Sequence, residues 1–262
     1  MNVLGTIIEG FKKVFKGENA FAKHLCLFAI TGFISVATVY IQNVSEAMKA
    51  TQQLPNLTQY MTGIIILLIV SLYLSGYNLI FAHNSFKDNI DEYLPEINLE
   101  PIFTIIKAIP ILLCWGFYIF LTCIIGVALC TTHSIPLVII GIGILLVTLV
   151  LYGFVQFVTS AAYPQNFDTE GLFNISLPLK YAKFAFGELV LLGLLYIVVG
   201  IVAMIPSGLA GFMIGVFGNL GDNTTATYVG GILGGYCGCI TQLVWYYCIV
   251  QIYREKIEPN MY

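Results

Sequence analysis

The chain has 262 residues, of which 58% are hydrophobic and 10% charged, and its formal net charge is −3. A soluble domain carries about 25% charged residues, and here the mean hydropathy is +0.89. This balance excludes an ordinary water-soluble enzyme, a disordered tail and a nucleic-acid binder with a basic surface, and it indicates a membrane protein.

Residues 1–20 lack a continuous apolar core and carry Glu9, Lys12, Lys13, Lys16 and Glu18, so no cleavable signal peptide is expected. Val3, Leu4, Ile7, Ile8, Phe11, Val14 and Phe15 recur at helical spacing and form one apolar stripe. The expectation is an N-terminal cytoplasmic amphipathic helix, lying flat in the headgroup layer or packed on a membrane bundle.

Six stretches then have the length and apolarity to cross a bilayer: 21–42, 60–83, 108–130, 137–163, 188–212 and 228–253. In hydrocarbon only a helix or a closed barrel satisfies its own backbone, and a barrel would show short segments of alternating polarity. The nearly unbroken apolar run over 61–74 predicts helices instead. The expected fold is all-α, a polytopic membrane protein with six transmembrane helices in a single membrane domain over 1–262. Within it, 1–20 is the interfacial helix, 21–253 the bundle and 254–262 a cytoplasmic tail.

Basic residues are retained on the cytoplasmic side. Lys12, Lys13, Lys16 and Lys23 precede the first span; Lys87 and Lys107 lie between the second and third; Lys180 and Lys183 lie between the fourth and fifth. Arg254 and Lys256 follow the sixth, and only Lys49 sits in an alternate connection. Both termini are therefore expected in the cytoplasm, beneath a cell membrane. Lys12, Lys13, Lys16, Lys23, Lys107 and Lys183 are candidate contacts to lipid headgroups.

In the connection after the second span, Asp88, Asp91, Glu92, Glu96 and Glu100 oppose only Lys87. Residues 88, 92, 96 and 100 would share one face if helical, although Pro95 restarts any helix there. A solvated loop is the plain reading, and docking of a basic protein partner is the sharper one.

Towards the end of the chain, Gly208, Gly211, Gly215 and Gly218 follow Pro206, while Gly230, Gly231, Gly234, Gly235 and Gly238 give overlapping GxxxG spacings. Small residues let membrane helices approach closely, either between spans five and six or across an oligomeric seam. Pro206 frees a backbone carbonyl and makes a kink or half-helix plausible. Pro206, Gly211, Gly215, Gly230, Gly234 and Gly238 are thus candidates for helix packing or a gate. Gln156 and Gln242 are the polar side chains nearest the bilayer interior, where bonding across helices is expected.

A faint threefold organisation follows the topology. Stretches mixing aromatics with lysine precede each hairpin, reading FKKVFKGENAFAKHL from Phe11, LPEINLEPIFTIIKAIP from Leu94 and LPLKYAKFAFGEL from Leu177. Three helix-plus-hairpin repeats would be related by an axis along the membrane normal. Snorkelling lysine stems at helix ends would give the same placement without repetition.

Chemistry-bearing residues are sparse. Lys23, His24, His83, Lys107 and Glu188 all lie near expected cytoplasmic ends, which disfavours a proton-coupled pump. His24 and His83 would give only two ligands, too few for a zinc site, so no metal or other cofactor is expected. Cys26, Cys114, Cys123, Cys130, Cys237, Cys239 and Cys248 are odd in number and lie in or beside spans, which indicates core thiols. Asp222 has no second intramembrane aspartate, Ser207 has no evident base, and no HExxH, Walker loop or GxSxG occurs. Asn43, Asn56 and Asn223 head N-x-S/T triplets on the expected outer side, but Asn174 heads one inside, and nothing is built on them. An enzyme is not expected.

Gly76 and Tyr77, then Leu94, Pro95 and Glu96, then Tyr163 leading into Glu170, Gly171 and Phe173 carry a family resemblance over roughly residues 70–190. There the chain resembles an uncharacterised prokaryotic family of multi-pass membrane proteins classed as a domain of unknown function. The resemblance implies a compact six-helix bundle in a bacterial or archaeal cytoplasmic membrane and offers no catalytic residues. The functional expectation is a non-enzymatic membrane subunit, a scaffold or the permease-like part of a larger complex. The alternatives are a transporter of a lipid or peptide through a cleft near Pro206, and an immunity-type protein that shields the cell from a membrane-active peptide.

Overall fold

The computed structural model describes residues 2–51, 57–88, 90–132, 134–217 and 224–261. Asn56, Gly218, Gly221, Asp222 and Asn223 lie outside the described residues. All regular structure among those described is helical: α1 (Val3–Val14), α2 (Ala20–Thr51), α3 (Leu57–Ser85), α4 (Glu100–Cys130), α5 (Ile135–Phe157), α6 (Tyr163–Asn166), α7 (Leu177–Phe217) and α8 (Thr224–Ile252). A five-residue π-turn, Val158–Ala162, joins α5 to α6, and a second, Tyr253–Ile257, extends α8.

Six helices are long and apolar enough to cross a membrane: Ala20–Glu46, Tyr60–Ser85, Glu100–Cys130, Ile135–Asn166, Leu177–Ile214 and Thr227–Asn260. Each contains one of the stretches read from the sequence. The interior is apolar, as in a water-soluble fold, but so is the outside. Large apolar residues such as Leu113, Phe120, Leu149 and Ile201 are more than 60% exposed around the outside. In water such a surface would aggregate; in lipid tails it is the matching solvent.

The bundle is organised around α8. Its most apolar window is 44% buried, against 11–28% for the other five spans. It packs on α7, α2, α1 and α3, and Leu243, Val244, Cys248, Ile249 and Val250 are fully enclosed. Glycines provide the close approach. A Cβ at Gly234 would stand 3.1 Å from Ser207 Oγ on α7, and one at Gly235 would stand 2.9 Å from Ser35 Oγ on α2. The same serines donate to α8 carbonyls, Ser207 to Gly230 at 2.7 Å and Ser35 to Gly231 at 2.8 Å. Gly230 and Gly234 are therefore covered by α7, and Gly231 and Gly235 by α2. Gly126 and Gly141 do the same for α4 and α5.

Asn2 caps α1, its Oδ1 accepting from the Gly5 amide at 3.1 Å. Val3, Ile7, Gly10 and Val14 are buried, with Gly10 set against Val244 and Tyr247 of α8. Leu4, Ile8 and Phe15 are exposed. The apolar stripe thus divides, one edge against the bundle and one edge outward.

Two expectations change. The chain passes through the exposed Pro206 as helix, and the one departure from helical geometry in α7 is at buried Ala185 (φ −130°, ψ 15°). A proline near a lipid-facing surface can be absorbed by neighbouring turns, and the kink in α7 lies at Ala185 instead. Residues 94–99 are irregular and α4 begins directly at Glu100, so the second of the three lysine-bearing stretches forms no separate surface helix.

Gly76 is where α3 meets the first turn of α4. It is buried, and a Cβ there would run into the Pro101 carbonyl, which no rotamer change relieves. Gly76→Ala should therefore destabilise the bundle by about 1–3 kcal/mol, seen as a lowered midpoint of thermal unfolding in mild detergent. Gly116→Ala, where nothing lies within 4 Å, should leave the midpoint nearly unchanged.

Candidate functional site

At one end of the bundle α1, the 86–99 connection, α6 and the close of α8 meet in a plate of polar contacts. Lys23, buried at the start of α2, donates to the Leu94 carbonyl at 2.9 Å and pairs with Glu92 at 3.0 Å. Lys13 donates to the Tyr93 hydroxyl at 2.8 Å and Lys16 to the Ile90 carbonyl at 3.1 Å. Arg254 holds Asp88 through two hydrogen bonds of 3.0 and 2.9 Å. Tyrosines close the plate from within: Tyr77 donates to the Pro95 carbonyl and Tyr163 to the Thr104 carbonyl, each at 3.2 Å.

This geometry places the candidate residues read from the sequence. The connection carrying the acidic residues is irregular through 90–99, so 88, 92, 96 and 100 do not line one helix face. Asp88 and Glu92 are consumed by Arg254 and Lys23, while Asp91, Glu96 and Glu100 are exposed and form no ion pair among the described residues. Among the candidate headgroup lysines, Lys13, Lys16 and Lys23 are engaged within the protein, and Lys12, Lys107 and Lys183 are exposed. His24 and His83 have separate partners: His24 donates to the Val14 carbonyl at 3.1 Å, and His83 to the Pro164 carbonyl at 2.8 Å. No group of three or more His, Cys, Asp or Glu among the described residues is placed to hold a metal.

The chemically distinctive place is within the membrane-crossing part. A cleft of about 590 Å³ lies between α5, α7 and α8, within the size range of small-molecule sites. Each helix contributes one stripe: Leu149, Tyr152, Gly153 and Gln156 from α5 and Gly238, Thr241, Gln242 and Trp245 from α8, both at i, i+3, i+4 and i+7, and Leu189, Gly193, Tyr196 and Gly200 from α7 at i, i+4, i+7 and i+11. Nothing lies within 4 Å of where a Cβ would stand on Gly193, Gly200 or Gly238, so missing side chains keep the cleft open. The rim residues Leu149 and Met204 are exposed, so the cleft opens sideways on the bundle surface.

Behind it a second cavity, of about 290 Å³, lies between α3, α4, α5 and α8. Tyr152, Gln156, Gln242 and Tyr246 line both cavities and form the wall between them. Gln156, Thr159 and Tyr163, spaced i, i+3 and i+7 across the π-turn that starts at Val158, all line the second cavity. Hydrogen bonding at the wall is incomplete. Gln156 Oε1 accepts from Ser160 one turn on at 3.5 Å, and the exposed Gln242 side chain has no hydrogen bond among the described residues. The Tyr196 hydroxyl is shielded and unpartnered, its ring edge-on to Trp245 at 4.6 Å. The two glutamines were expected to bond across helices, and they do not. Tyr152, Tyr196, Trp245 and Tyr246 were not singled out from the sequence; the available signal was aromatics sharing a helix face with glycines and a glutamine. Of the candidate gate residues, Gly238 lines the cleft, Gly230 and Gly234 pack on Ser207, and Gly211, Gly215 and Pro206 belong to α7 beyond Met204.

No family model, no curated protein and no solved structure matches the chain. The resemblance carried by Gly76, Tyr77, Leu94, Pro95, Glu96, Tyr163, Glu170, Gly171 and Phe173 is thus matched by no family model.

The Arg254 guanidinium, by hydrogen bonding and by its charge, holds the Asp88 carboxyl below its ordinary value of 3.8. A lowered carboxyl contributes stability that is complete above the ordinary value and is lost as the pH falls through the lower folded value. Asp88→Asn should therefore unfold at a lower temperature than the parent protein at neutral pH. The difference should shrink towards zero as the pH is taken down through and below 3.8.

Proposed function

We propose that this chain is a non-enzymatic, permease-like protein of a prokaryotic cell membrane that takes an amphipathic molecule, a lipid or a short apolar peptide, from the bilayer into the cleft between α5, α7 and α8. The observation that carries this reading is the sideways-opening, glycine-lined cleft with an amide and phenol wall at its back. A ligand arriving through the bilayer has its chain in the right solvent from the start, and the polar wall gives its other end a hydrogen-bonding destination.

Ten of the eleven basic residues fall at the end of the bundle that carries α1 and the 86–99 connection, which supports a cytoplasmic position for that end and for both termini. The exposed edge of α1, with Leu4, Ile8, Phe15 and Lys12, then lies at the height of the inner headgroups. A second reading has a specific observation in its favour: Asp91, Glu96 and Glu100 are exposed and unpaired on the same end, a surface suited to a basic partner within a larger complex.

Two measurements test the reading. Native mass spectrometry of the protein extracted in mild detergent should show a copurifying lipid or peptide. The pair Gly200→Leu and Gly238→Leu, which fills open space, should remove that ligand while shifting the unfolding midpoint by only a few degrees. An unliganded parent protein, or a ligand retained by the filled variant, counts against the cleft. In intact cells, an antibody to a tag on either terminus should bind only after permeabilisation; labelling without it would reverse the orientation.

A further inference from the structure

The lining of the cleft narrows the class of ligand, an inference that rests on the cleft being a binding site. We propose that it selects a long-chain amphiphile whose head is uncharged and hydrogen-bonding, a hydroxyl or an amide, and that Gln156 and Gln242 read that head at the wall between the two cavities.

No Asp, Glu, Lys, Arg or His lines either cavity. The nearest charge in sequence, Glu188 beside the rim residue Leu189, is turned to Lys256 at 3.2 Å. A phosphate, carboxylate or ammonium head seated at the wall would be desolvated with no counter-charge, and that cost exceeds what neutral hydrogen bonds return. A head with no polar atom leaves the opposite deficit. The Tyr196 hydroxyl is shielded and has no partner among the described residues, and such a group is costly until it is satisfied. The Gln242 amide is exposed on the cleft lining without a hydrogen bond among the described residues, and hydrocarbon supplies no water to complete it. A carboxamide offers both a donor and an acceptor, so it matches a hydroxyl or amide, which also presents both. The remainder of the lining is aliphatic and aromatic, with Leu149, Leu189 and Met204 leading outward to the lipid-facing surface, so the chain of the ligand lies along the cleft and its head points inward.

The experiment uses the full chain in phosphatidylcholine nanodiscs and three photoreactive probes built on one C16 diazirine chain, ending in a hydroxyl, a phosphate monoester or a methyl group. The hydroxyl probe should label peptides containing residues 152–156 and 242–246 about five- to tenfold more than either of the others, the span that one or two neutral hydrogen bonds supply. Replacing both glutamines, Gln156→Leu with Gln242→Leu, should bring the hydroxyl probe down to the level of the methyl probe. Methyl-probe labelling of the same variant should stay as in the parent, which separates loss of recognition from loss of fold. Equal labelling by all three probes, or a preference for the phosphate, overturns the selectivity and leaves the cleft reading standing. Absence of labelling in these peptides, or labelling that survives Gly200→Leu with Gly238→Leu, overturns the cleft reading itself and the selectivity with it.

Discussion

In hydrocarbon no water is at hand to complete a hydrogen bond, and every polar group must find its partner inside the protein. The architecture follows from that constraint. Backbone groups are satisfied by helices; serine and threonine hydroxyls fold back onto carbonyls one turn earlier, as Thr31, Ser75 and Thr148 do. Buried Tyr77 and Tyr163 donate to backbone carbonyls of other segments, Pro95 in the connection and Thr104 in α4. With most polar groups satisfied locally, the few that are not become informative. Among the described residues the shielded groups without a partner are on Tyr73, Asn78, Glu92 and Tyr196, and of these Tyr196 lines the open cleft, together with the exposed Gln242.

The same constraint divides the bundle into two ends of different character. The end bearing α1 and the 86–99 connection holds most of the enclosed aromatic side chains, among them Tyr77, Phe81, Phe157, Tyr163 and Tyr181. Its irregular backbone is fixed by charged groups reaching from other elements. The connection has no regular hydrogen-bonding pattern of its own, so Lys13, Lys16, Lys23 and Arg254 supply the donors. The other end is packed largely through small residues and hydroxyls. Where the glycines meet a neighbour they draw two helices together; where they face none, as at Gly193, Gly200 and Gly238, they leave a cleft. One residue type thus makes both the tightest and the loosest contacts in the fold.

Much of the frame was legible in the residues because it depends on local quantities. Length and apolarity mark each span, and the glycine spacing of 230–238 marks a close helix contact, now seen to be made with Ser35 and Ser207. What depended on distant partners was not legible. Nothing local distinguishes Glu92, paired with Lys23, from Glu96, which is exposed, because the difference arises from α2 lying beside one and not the other. Pro206 drew attention as a helix breaker, yet the bend is at Ala185, an ordinary residue whose geometry is set by what packs around it. Gln156 and Gln242 were visible as deep polar residues; that they share a wall, and with which aromatics, required three helices to be placed in register.

The central position of α8 bears on how the protein is made. The span that touches α1, α2, α3 and α7 follows all of them in the chain, so while the ribosome is still adding the earlier spans they sit in the bilayer without the strut they will share. Long-range pairings of this kind are slow to form. The growing polypeptide passes through a stage in which the serines of α2 and α7 face lipid instead of glycine carbonyls, and a membrane-embedded chaperone or protease would meet it in that state.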